Sequence, residues 1–161
     1  MDNEIKIIET EGYIDKYLNE SQMESVYRQK TKSNDILILP SKYTDDKYYF
    51  AQETIDFVKF CRGNDQSTSI DILTEGDINV RSLHSFDIWL PVIFIASNVL
   101  LPFVVNLVSN FIYDKMKGRE HEDANVNVDI IIKNGKKEKR IHFDGDAKSF
   151  RDLMEKIDLD K

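Results

Sequence analysis

Residues Ile88 to Ile112 form a run of 25 residues without a charge, in a chain whose residues are 32% charged. A run of this length must be withdrawn from water, into a bilayer or into a folded core, because exposed apolar area costs roughly 25 cal/mol per Å². With its flanks it predicts one long apolar helix over 87–117, about 45 Å at the standard rise and long enough to cross hydrocarbon. Asn98, Pro102, Asn106 and Asn110 recur every four residues, and Tyr113 falls on the same face, so the helix would carry a narrow polar stripe. Pro102, inside it, is expected to kink the helix.

The flanks bear on the choice between bilayer and core. Trp89 and Tyr113 stand near opposite ends, where an interfacial belt would have them, and Lys115, Lys117 and Arg119 follow the run closely. The basic-side rule would then place the C-terminal end inside and require export of an acidic N-terminal unit. MDNEIKIIETEG, however, has neither the basic nor the apolar part of a secretory signal. The reading leans to a cytoplasmic protein in which the helix is a buried or self-associating spine, with a membrane-inserted helix as the alternative.

Around this run the chain reads as an α/β fold in one compact domain of 161 residues, long enough to bury a core without metal or disulfide. Residues 1–34 are expected to be helical, on the spacing of Tyr13, Ile14, Tyr17, Leu18, Val26 and Tyr27. Residues 35–86 read as a βαβ unit. Two short parallel strands, DILILP and STSIDIL, flank a helix whose inner face is Phe50, Ala51, Ile55, Val58 and Cys61. Residues 118–161 read as a ββα unit. A hairpin turning at Asn134 and Gly135 would set Val128 opposite Ile141, Val126 opposite Phe143 and Asp129 opposite Arg140, and a final helix capped by Asp146 follows.

Charge and cysteine usage narrow the function classes. The net charge is -7, and residues 1–86 carry 16 acidic against 10 basic side chains, which argues against a nucleic-acid partner. The lone Cys61 lies in an apolar helical pattern and reads as a core residue of a reducing compartment. Ligands of parallel sheets gather at the carboxyl ends of strands, which points to Ser41, Lys42, Thr44, Asp45 and Asp46 after the first strand and to Thr74, Glu75 and Asp77 after the second. Four carboxylates at one sheet edge could hold Mg²⁺ or position water, although the plainer expectation is a polar turn with a helix cap. His142 and Asp144 in HFDGD are a weaker metal-ligand pair, and EHED around His121 reads as a solvated connector.

ILPSKYTDDKYYFAQETIDFVK, DIWLPVIFIASN and the hairpin ending IHFDGDAKSF together resemble a scattered set of small uncharacterised bacterial proteins, over roughly residues 36 to 157. The resemblance implies a bacterial accessory protein from a defence or mobile-element neighbourhood, and it transfers no catalytic residue. No cofactor is expected. The function expected is that of a non-enzymatic interaction or regulatory protein that uses the Asn-striped helix for docking to another protein or to itself. A membrane effector and a metal-dependent enzyme are the alternatives.

Overall fold

In the computed structural model, which describes residues 3–42, 45–64, 69–74, 78–81, 87–118, 123–134 and 137–157, the uncharged run is divided between a strand and a helix. The strands are β1 (Glu4–Glu11), β2 (Ile36–Leu39), β3 (Ser41–Lys42), β4 (Tyr48–Tyr49), β5 (Ile70–Ile72), β6 (Ile88–Ile95), β7 (Asn125–Asn134) and β8 (Lys137–Asp146). The helices are α1 (Tyr13–Ser21), α2 (Glu24–Thr31), α3 (Thr54–Asn64), α4 (Leu101–Met116) and α5 (Phe150–Glu155). Six strands form one mixed sheet in the order β1-β8-β7-β6-β2-β5, and β3 pairs with β4 in a separate small hairpin. The class is α/β, as expected.

The single helix expected over 87–117 is corrected to β6, a 3-10 turn at Asn98–Leu100, and α4. Every residue of β6 except Trp89 is buried, because the strand runs through the middle of the sheet with helices on both faces. A strand buried on both sides has no polar alternation, so in sequence it looks like an apolar helix. Pro91 would have broken a helix here. In the strand it falls where the β6–β7 register shifts, between Trp89 and Val92, a place where its missing N–H is tolerated. Pro102 does not kink α4; it stands in the first turn, where the backbone N–H has no helical partner to lose.

The βαβ unit is present. β2 and β5 are parallel neighbours joined through α3, although Ile55 on α3 faces outward at 40% exposure and the inner face is Thr54, Phe57, Val58 and Cys61. The N-terminal segment is only partly helical. Its first residues form β1, an edge strand antiparallel to β8 and unrecognised in the sequence. Gly12, at φ 74°, turns the chain from β1 into α1. Gly145 lets β1 close on β8, since a Cβ there would sit 2.5 Å from the Asn3 side-chain oxygen that accepts from the Asp146 N–H at 2.7 Å.

The hairpin register differs from the expected one by two residues. Asn134 pairs with Lys137, Val128 with Phe143, Ile130 with Ile141 and Asp129 with His142; Gly135 and Lys136 lie outside the described residues. The shift preserves which face each side chain occupies, and it replaces Lys139 by Ile141 opposite the fully buried Ile130. Asp129 still meets Arg140, diagonally, at 3.2 Å. Asp146 caps the C-terminal turn by accepting from the Lys148 N–H at 3.3 Å.

One face of the sheet packs against α3, α4 and α5. Phe57 meets Phe111 edge-on with ring centroids 5.3 Å apart, and Phe143 meets Phe150 at 5.1 Å. The other face packs Leu37, Leu39, Phe94 and Ile131 against α1 and α2. On that second face Glu138, 2% exposed, accepts from the Ile14 N–H at 3.2 Å and so satisfies an orphan donor in the first turn of α1. Replacing Glu138 by alanine is expected to lower the unfolding free energy by about 1–3 kcal/mol. The exposed Glu24→Ala change, which removes only a surface pair with Arg28, is expected to cost less than about 0.5 kcal/mol. Urea titration of both variants checks this, and equal midpoints would show that α1 is not anchored through Glu138.

Candidate functional site

At the carboxyl end of β2 the chain makes the β3–β4 hairpin, so Ser41 and Lys42 are strand residues and Asp45 and Asp46 belong to its turn. Asp45 accepts from the Tyr49 hydroxyl at 2.7 Å and from the Lys47 N–H at 3.1 Å. These two bonds, the Tyr49 one foremost, hold its carboxyl below the usual range, and the same bond raises the Tyr49 phenol. Asp46 adopts φ 62° and lies 3.9 Å from Lys42. The Asp45 carboxylate is thus engaged in holding its own turn. Thr74 follows β5, while Thr44, Glu75 and Asp77 lie outside the described residues. Among the described residues, no three His, Cys, Asp or Glu side chains are grouped to hold a metal ion.

His142 does not partner Asp144. Its Nδ1 lies 2.9 Å from Asp129 Oδ1, across the hairpin, and Arg140 Nε donates to the same oxygen at 3.2 Å. Asp144 stands opposite Asn127 on one side and Glu4 on the other. His84 and His121 lie outside the described residues.

Cys61 is 3% exposed, and burial pushes its thiol from the ordinary 9.0 up to about 12. It is a neutral core group at physiological pH, not a nucleophile. The native protein is expected to resist a thiol-disulfide reagent at pH 8 and to react fully once unfolded; rapid native labelling would contradict this burial. The unfolded thiol ionises near 9 and the folded one near 12, so the unfolded state binds fewer protons in between. The stabilising contribution of the neutral thiol is therefore complete below about pH 9 and is lost toward pH 12, at up to ~1.4 kcal/mol per pH unit.

The stripe on α4 is where the structure assembles something new. Leu101, Val104, Val105, Leu107, Val108, Phe111 and Ile112 turn inward, leaving Pro102, Asn106, Asn110 and Tyr113 outward, with Tyr113 70% exposed. Ser109 closes back on the Val105 carbonyl at 2.7 Å. Asn98 belongs to the 3-10 turn that leads into α4, and Trp89 to β6, so neither is a residue of α4 itself.

From α5, Arg151 reaches across and donates through one nitrogen to the side-chain oxygens of Asn106 at 3.2 Å and Asn110 at 3.1 Å. Between the two helices opens a cavity of about 540 Å³, lined in part by Asn110, Tyr113, Met116, Lys148 and Arg151. Asn106 and Asn110 carry a sequence signal in their four-residue spacing, and Tyr113 falls on the same face. Arg151 and Lys148 carry none, because their position depends on how α5 crosses α4. Comparison of the chain with protein-family models, with curated proteins and with solved structures returns no match.

Proposed function

We propose that this chain is a non-enzymatic interaction or regulatory protein that docks a partner protein on the face formed by α4 and α5. The observation that supports this reading is the solvent-facing stripe of Asn106, Asn110 and Tyr113, whose two amides hold Arg151 beside an open cavity. An arginine fixed by two neutral amides and an exposed tyrosine are the residue types that dominate binding energy at protein interfaces. A cytoplasmic setting belongs to the same proposal. The bacterial, defence-associated setting rests on the resemblance of residues 36–157 alone.

The same helix also meets the length and composition of a membrane span over Asn98–Met116, with a mean hydropathy of 1.2, but half of that window is buried within the fold. Insertion would strip this apolar face from the sheet and α3 and expose their apolar surface in turn, so docking is placed first. Carbonate-resistant retention of the full chain in a membrane pellet would reverse that order.

The docking reading has a site-specific test. With a photocrosslinking residue in place of Tyr113, one discrete adduct is expected in cells, reduced at least about tenfold by Arg151→Glu, a loss of about 1.4 kcal/mol or more. Asn106→Ala and Asn110→Ala, which release the guanidinium, are expected to weaken the same adduct. The crosslinker in place of the exposed Ile55 on α3 is expected to give none. An identical adduct pattern from both positions would remove α4 and α5 as the docking face.

A further inference from the structure

The groove between α4 and α5 has a charge opposite to that of the molecule it belongs to. The chain carries a net charge of -7, yet among the described residues the groove lining holds Lys117, Lys148 and Arg151 and no carboxylate. Lys117 has a loose contact with Asp114 at 3.7 Å, and Arg151 and Lys148 form no ion pair among the described residues. Arg151 is held by amide oxygens, which orient its guanidinium without cancelling its charge. Beneath the cations the floor is apolar, made of Ile112, Met116, Ala147 and Phe150.

Resting on the docking reading above, we propose that this groove receives an acidic segment of a partner protein, which seats one apolar side chain between α4 and α5 and sets flanking carboxylates on Arg151, Lys148 and Lys117. The spacing of the cations favours a segment of chain over a small acid. Arg151 is tied at Asn110, and Lys117 caps the C-terminal end of α4 seven residues later, its backbone about 10 Å along the axis by the helical rise and its Nζ over the Tyr113 ring. One small carboxylate does not span that distance, whereas two acidic residues four apart in an extended chain, on the same face as the residue midway between them, do, at about 3.3 Å per residue. The cavity of about 540 Å³ leaves room for a large side chain between them.

Fluorescence anisotropy tests this with the full chain and a labelled pentapeptide in which a central phenylalanine is flanked by two glutamates on each side. Saturable binding is expected, weakening as salt rises. Binding is expected to fall at least about tenfold with glutamines in place of the glutamates, with glycine in place of the phenylalanine, or with the protein variant Arg151→Gln. Lys148→Gln lies off the amide clamp, so a weakening there reports charge recognition independently of any effect of Arg151 on the helix packing.

Three results would overturn the assignment: no binding of the acidic peptide, equal binding of the glutamine peptide, or saturation by phenylacetate without any binding of the peptide. A doubling of mass by light scattering that Arg151→Glu abolishes would also overturn it, in favour of a second copy as the occupant. If these fail while the Tyr113 adduct still depends on Arg151, the acidic-segment assignment falls and the docking face stands. If the adduct itself shows no such dependence, the docking face falls.

Discussion

Burial of β6 on both faces is the constraint around which the rest of this molecule is arranged. Ile93 and Ile95 point toward α3, α4 and α5, Val92 and Phe94 point toward α1 and α2, and each is nearly or wholly removed from solvent. Burying a side chain of this size is worth roughly 1.5–3 kcal/mol, so the strand is stable only if both helical layers are present. β6 pairs in parallel with β7 and antiparallel with β2, and thereby joins the βαβ unit to the C-terminal hairpin. The two halves of the sheet are one structure because of this strand.

The same packing makes α4 two-faced. Once its apolar side is committed to the sheet and to α3, its polar residues have only solvent or α5 to face. α5 is short, six residues, and is held chiefly by Phe150 and Met154 against the core. Two helices of unequal length side by side leave a gap past the end of the shorter one, and that gap is the groove. Its basic lining follows from position: Lys117 ends α4, while Lys148 and Arg151 lie on the outer side of the C-terminal turn and helix.

Electrostatically the groove stands apart from the features first suggested by acidic residue types. Asp45 is satisfied by Tyr49 and the Lys47 N–H, Asp129 by Arg140 and His142, and Asp146 by the backbone it caps. These carboxylates are internally answered. Arg151 differs because its partners are neutral, which leaves its charge to act outward while its position is fixed. Among the described residues no opposing charge meets it, and this is the feature on which the proposed docking face rests.

The sequence by itself determined the α/β class, the parallel βαβ pairing of β2 and β5, the hairpin, the capping by Asp146 and the four-residue polar stripe, because each follows from local periodicity or turn chemistry. It was misleading at Ile88–Ile95, where a strand buried on both faces lacks the alternation that identifies strands. It was silent on β1, whose short Ile5 and Ile7 alternation is stable only as an added edge on β8. It also left the hairpin register open by two residues, a choice made by pairing Ile130 with Ile141 in the core. Only tertiary structure decided that Asn106 and Asn110 hold Arg151. These residues are more than forty positions apart in the chain and meet because burying the apolar sides of α4 and α5 against one sheet brings their polar sides together.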